Sequence, residues 1–220
     1  MSAPDYAQSF MAERPLLPAR AALVIIDMQY ATAHREGPLA ARMVAEGEGT
    51  TDWRFQRIHG QVIPNLQRLS GAMRVAGGRV LHVTIGAGLP DFSDAAPHMR
   101  AFFQALGNHA GAPAHRIVDE LAPEPGDPVV RKTTMGAFAS TGIDALLRGL
   151  GVEHLIMGGV STNMCVDTTA REAADRGYAV TLVEDACAAT HADLHEAALR
   201  SFARFFGRVR ETDVVLAELG

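Results

Sequence analysis

Three side chains in this sequence can do chemistry together: the carboxylate of Asp27, the amine of Lys132 and the thiol of Cys165. Each is tied to a short apolar run. Asp27 closes Ala22–Asp27 (ALVIID), Lys132 closes Asp127–Lys132 (DPVVRK), and Cys165 stands five residues beyond His154–Val160 (HLIMGGV). Runs of this length, bounded by turn residues, read as strands buried on both faces. The chemistry of such a trio is nucleophilic: the carboxylate takes the thiol proton, the ammonium steadies the anion, and the sulfur attacks a carbonyl. Cys165 falls in the first turn of a helical pattern, where free N–H groups carry partial positive charge. That placement, with Lys132 nearby, is expected to lower its pKa below the free value of roughly 8.5. Taken singly, each residue has an ordinary role. A lone cysteine packs as a small apolar group, an aspartate after a strand caps a turn, and a lysine there is solvated. Their common position at the carboxyl ends of strands, where open α/β sheets bind ligands, joins them into one site. Gly158-Gly159-Val160-Ser161 adds a tight strand-to-helix turn whose N–H groups can face an oxyanion.

The elements that must position these groups alternate along the chain. Helical periodicity runs over Ile58–Ala76 (Ile58, Val62, Leu66, Leu69, Met73) and stops at Gly77-Gly78. Further strands are predicted at Arg79–Thr84, Ala179–Glu184 and Arg208–Glu211, and further helices at Pro97–Leu106, Thr141–Leu150, Thr162–Arg176 and His191–Phe206. Asp213–Leu219 adds a last helical turn. Residues 28–56 read as a long loop with one helical piece, Leu39–Ala45, and residues 86–127 as a second irregular region; loops of that length are usually functional. The pattern predicts an α/β fold of three layers, α/β/α, with a doubly wound, mostly parallel six-stranded sheet. Residues 1–20 form an expected N-terminal arm and 21–220 a single domain.

Composition narrows the function classes. The 220 residues are 48% apolar and 20% charged, enough for a substantial core, with a net charge of −5 and no Lys/Arg block. Nucleic acid and anionic membrane are therefore not expected as partners. The two cysteines, Cys165 and Cys187, form no CxxC or zinc-type spacing. A disulfide framework is not expected, and a redox role for the pair has little to support it. No signal-like start and no apolar run of about 18 residues is visible, so a cytoplasmic location is expected. No GxGxxG follows the first strand, which argues against a dinucleotide, and no cofactor is expected.

Three segments then resemble the isochorismatase-like cysteine hydrolases: LVIIDMQ (23–29), VVRKTTMGAFASTGID (129–144) and GGVSTNMCVDTTAREAADRGYAVTLVEDACAAT (158–190). The resemblance implies a catalytic triad of Asp27, Lys132 and Cys165. It also implies a cis peptide before Ser161 and an oxyanion hole from the N–H groups of Ser161 and Cys165. The implied reaction is hydrolysis of a C–N bond in a small amide or ureido compound through a covalent thioester-type intermediate. The 158–190 text is similar to biuret, triuret and related ureido and N-carbamoyl hydrolases. A homo-oligomer, dimer or tetramer, is implied as well. Metal-binding nicotinamidases of the family carry Asp-x-His after the second strand; here TIGAGLPDFSDAAPHM has none, with His98 its only histidine, so no metal is expected. His191 and His195, four apart, read as a solvated helix face. True isochorismatases lack the cysteine; the alternatives are an enol-ether hydrolase or a non-catalytic binding member of the fold. Where many members continue DMQ with Asp-Phe, this chain reads DMQYATAHREG. Tyr30, Arg35, Phe138 and Thr162 are the candidate substrate-binding residues, with Arg35 suited to hold a carboxylate.

Overall fold

The computed structural model describes residue 10 and residues 13–47 and 51–220. Most of the arm expected over residues 1–20 lies outside them; Pro18–Arg20 form a 3-10 turn that enters the first strand.

Six strands form one sheet: β1 (Ala21–Ile26), β2 (Arg79–Ile85), β3 (Val129–Lys132), β4 (His154–Val160), β5 (Ala179–Ala188) and β6 (Arg208–Arg210). Their order is β3-β2-β1-β4-β5-β6, and every neighbouring pair is parallel. Parallel pairing demands a crossover after each strand, and the crossovers place helices on both faces. All residues of β1 and of β4 are buried, which explains their unbroken apolar sequences. Alternate residues of β1 serve opposite faces. Ala22, Val24 and Ile26 join one core with α5 (Pro97–Leu106), α6 (Ile143–Gly149), α7 (Asp167–Asp175) and α8 (Ala192–Phe202). Ala21, Leu23 and Ile25 join the other with α4 (Ile63–Val75) and α9 (Thr212–Leu219). Each large aliphatic side chain so buried contributes about 1.5–3 kcal/mol.

Residues 28–56 differ from the expected loop. Three helical pieces occupy them: α1 (Tyr30–Ala33), α2 (Pro38–Ala45) and the start of α3 (Thr51–Arg57). The last runs through a π-type turn at Ile58–Val62 directly into α4, so one helical column begins at Thr51 instead of Ile58. Arg54 conceals this in the sequence, because a cation interrupts the apolar stripe of Ile58 and Val62. The fold nevertheless buries it, at 2% exposure.

The order in which strands are added reverses between β1 and β4, and the carboxyl ends of these adjacent parallel strands make the switch point. Gly159 permits their close approach. It has φ +123°, and a Cβ there would lie 2.1 Å from the carbonyl oxygen of Ile26.

Candidate active site

Asp27 is the first residue past β1 and has φ +55°, an uncommon conformation for a side-chain-bearing residue. Its N–H donates to the Val83 carbonyl at 2.8 Å, and its carbonyl accepts from the Thr32 hydroxyl at 2.5 Å. The following Gln29 ties this turn to the loops beyond β2. Its Oε1 accepts from Ile85 N–H at 2.8 Å and its Nε2 donates to the His115 carbonyl at 2.9 Å.

Lys132 ends β3, two strands from Asp27, with β2 between them. Its side chain crosses the end of β2, and Nζ lies 2.9 Å from Asp27 Oδ2. The same ammonium donates to the Thr134 carbonyl at 3.1 Å. Both members of the pair are inaccessible to water.

Cys165 follows β4 through the cis peptide Val160–Ser161. It sits in a π-type turn, Thr162–Val166, that leads into α7. There the carbonyl of Ser161 accepts from the amides of Met164 and Val166, three and five residues on, where an α-helix would use that of Cys165. Such π-turns recur at functional sites. Cys165 Sγ lies 3.7 Å from Met135 Sδ, and Asp27 and Lys132 are the charged groups that act on it.

Burial decides the resting protonation. It pushes the Cys165 thiol up to about 12; the Asp27 carboxylate adds to the rise and Lys132 opposes it. This differs from the lowered pKa expected of a helix start: loss of hydration outweighs the partial charge of one helical turn. Burial also raises Asp27 above the ordinary carboxylate range, against the pull of Lys132. For Lys132, burial acts to lower the pKa, but Asp27 and Cys165 together carry it above its usual value. At neutral pH the Cys165 thiol is therefore neutral, beside the 2.9 Å Asp27–Lys132 contact.

A polar layer behind the turn holds it in place. Thr162 Oγ1 lies 2.8 Å from His195 Nδ1, and His195 Nε2 lies 3.2 Å from Arg57 Nη2. Arg57 has only donors, so Nε2 is the acceptor and Nδ1 carries the hydrogen given to Thr162. Arg57 also donates to the carbonyls of Cys187 and Glu184, at 2.8 and 3.0 Å. Thus His195, expected on a solvated face, is buried and structural; burial, aided by Arg57, lowers its pKa to about 4.

Asp27 and Cys165 share the wall of a cavity of about 250 Å³, lined mostly by apolar groups such as Leu39, Ile85, Met99 and Phe102. Ser161, Arg54 and His98 also line it. The four candidate substrate-binding residues are not among its lining. Tyr30 donates its hydroxyl to Asp119 at 2.8 Å and lies under Arg116. Arg35 is exposed, its N–H directed to His59. Phe138 packs against Tyr178 under the Arg176 guanidinium, and the Thr162 hydroxyl is taken by His195. The pocket side of this region is instead supplied by Arg54, which sequence reasoning missed. The one signal was a cation in register with Ile58 and Val62. A larger cleft, about 410 Å³, lies at the other end of the sheet by the starts of β4 and β5, away from all three reactive groups. Among the described residues no group of three or more His, Cys, Asp or Glu side chains is placed to hold a metal ion, and no helix is long and apolar enough to cross a membrane.

Residues 21–214 match the model of the isochorismatase domain. The chain is 31% identical over 211 residues to the ureidoacrylate amidohydrolase RutB of Rhizobium rhizogenes, covering 88% of this chain and 81% of that protein. Among solved structures it is similar to a cysteine hydrolase from Pseudomonas syringae pv. phaseolicola, with TM-score 0.82, 26% identity and 100% and 98% of the two chains covered. It is also similar to N-carbamoylsarcosine amidase from Thermoplasma acidophilum, with TM-score 0.65, 26% identity and 88% and 97% covered. With the sheet order, the switch-point site and the family match in agreement, the chain belongs to the isochorismatase family of hydrolases.

Proposed function

We propose that this hydrolase cleaves a C–N bond of a small amide or ureido compound, with Cys165 as nucleophile and Asp27 and Lys132 as its partners. The observation that carries the reading is the convergence of the buried Asp27–Lys132 pair and the Cys165 thiol on one cavity. The likeness to ureidoacrylate amidohydrolases and to N-carbamoylsarcosine amidase supports the same reaction class.

The thiol is neutral at rest, so its proton leaves only as the reaction proceeds. Asp27, whose proton affinity burial raises, is the acceptor. As Sγ bonds to the substrate carbonyl carbon, the proton passes to Asp27 and negative charge moves to the carbonyl oxygen. The amides of Ser161 and Cys165 are the donors assigned to that oxyanion. Lys132 keeps the two successive anions, carboxylate and sulfur, from facing each other uncompensated. Collapse of the tetrahedral adduct breaks the C–N bond, and Asp27 returns its proton to the leaving nitrogen. Water then attacks the thioester or thiocarbamate, Asp27 taking its proton, and Cys165 is restored as thiol.

The test is an ammonia-release screen of the purified protein against biuret, triuret, ureidoacrylate, N-carbamoyl amino acids, maleamate and nicotinamide. Turnover of at least one compound, abolished by Cys165→Ser, is expected. Inactivity on every amide and ureide, with a vinyl ether hydrolysed instead, overturns the reaction class.

A further inference from the structure

Arg54 is a buried cation without an anion. It is 2% exposed, and among the described residues no carboxylate lies within ion-pair distance of it. Asp27, the acid that shares its cavity, is engaged by Lys132. Two of its five N–H donors are spent: Nη1 on Ser161 Oγ and Nη2 on the Thr32 carbonyl, both at 2.9 Å. Its Nε has no partner. Burial lowers its pKa only to about 10, so it stays charged at neutral pH. A guanidinium removed from water is costly unless something negative meets it. Protein interiors rarely keep such a charge, and this one faces a cavity otherwise lined mostly by apolar side chains.

The charge count of the site points the same way. Asp27 and Lys132 engage each other at 2.9 Å, and Arg54 is left without a partner of opposite charge among the described residues. A substrate that brings one negative charge supplies that partner, and a planar fork of donors matches a carboxylate best. We infer that Arg54 is the anion anchor of this cavity: the substrate carries a carboxylate alongside its amide or ureido group, and Arg54 holds that carboxylate while the carbonyl faces Cys165. The inference rests on the proposed role of Cys165 and narrows the substrate class to anionic amides such as N-carbamoyl and ureido acids. Arg54 thereby takes the role expected of Arg35.

Iodoacetate and iodoacetamide test this directly. They are nearly isosteric, differ by one negative charge, and alkylate by the same step, in which a sulfur lone pair displaces iodide. Rates at Cys165 are followed by mass spectrometry and compared with those of free cysteine in the same buffer. The iodoacetate-to-iodoacetamide ratio at Cys165 is expected to exceed that of free cysteine by roughly tenfold to a hundredfold, the range for a charge-assisted hydrogen bond. It is expected to fall to the free-cysteine ratio in Arg54→Gln. Acetate, and not acetamide, is expected to slow alkylation of the unmodified protein by iodoacetamide; this arm decides the question even if Arg54→Gln does not fold. A ratio no higher than that of free cysteine, or one that survives in folded Arg54→Gln, overturns the anchor. So does an equal loss of both rates, which would make Arg54 a partner of the sulfur instead of the substrate. Failure of the underlying reading looks different: Cys165→Ser would retain hydrolysis, and the anchor would fall with it.

Discussion

The Asp27–Lys132 pair offers the sharpest test of the electrostatics, because function and stability pull on it in opposite directions. At 2.9 Å and an effective dielectric of about 20, the attraction is roughly 6 kcal/mol. Removing each ion from water costs several kcal/mol, so the pair is close to break-even. Lys132→Met keeps the shape and removes the cation, leaving a carboxylate that is 1% exposed without its ion-pair partner. The expected loss is about 3–5 kcal/mol at pH 7 in urea denaturation. It should shrink as the pH falls. In the variant, Asp27 has a folded pKa above its unfolded value, so its favourable contribution is present at low pH and lost as the pH rises through the folded pKa. The double variant Asp27→Asn/Lys132→Met removes both charges. It should recover to within about 1 kcal/mol of the parent, or surpass it by up to about 4 kcal/mol, while remaining without hydrolytic activity. A single variant that loses less than about 1 kcal/mol, or a double variant as unstable as the two singles added, would refute the idea that this is a buried, mutually compensating pair retained for chemistry.

Other consequences are measured more simply. Gly159→Ala places a Cβ about where the Ile26 carbonyl stands, in a backbone conformation that disfavours side chains. A thermal melt should show a loss of roughly 2–4 kcal/mol, with reduced turnover because Asp27 follows Ile26. An unchanged melting temperature counts against so close a β1–β4 contact. His195→Ala removes the partner of the Thr162 hydroxyl and of Arg57, and should cost about 1–3 kcal/mol in denaturant. Its kcat should drop more than its KM changes; the reverse pattern would place His195 in substrate binding. Finally, burial lowers His82, His154 and His195 to about 4 from 6.5. The unfolded chain binds more protons in that interval, so their stabilisation is whole above pH 6.5 and lost as the pH falls toward about 4. The thermal midpoint should decline across that window, and a flat profile would mean these imidazoles are hydrated.

Much of this was legible in one dimension. Parallel strands buried on both faces must be apolar throughout, so ALVII and HLIM announced β1 and β4 without any periodicity. Turn residues and helix stops set the alternation that requires crossovers, and Asp27, Lys132 and Cys165 were marked by their common place at strand ends. The boundaries that shifted did so for local reasons. Gly77 and Gly107 ended helices as their left-handed φ allows, whereas Arg54 and Arg57 hid the start of the α4 column by breaking its apolar stripe.

What the sequence by itself determined was therefore the kind of sheet, its crossover rhythm and the three reactive groups at its carboxyl edge, because these follow from residue type and spacing along the chain. Only the tertiary structure decided the surroundings of those groups. Lys132 reaches Asp27 because the register sets Lys132 beside Ile85 and Ile26 beside Val83, so the two groups meet across the carboxyl end of β2. The thiol is pushed up, not down, because folding strips its water away. Arg54 enters the cavity while Tyr30 and Arg35 leave it because helix packing, not chain proximity, selects which side chain faces the sulfur. Solvation and orientation are properties of what folding brings alongside a residue, and no spacing rule carries them.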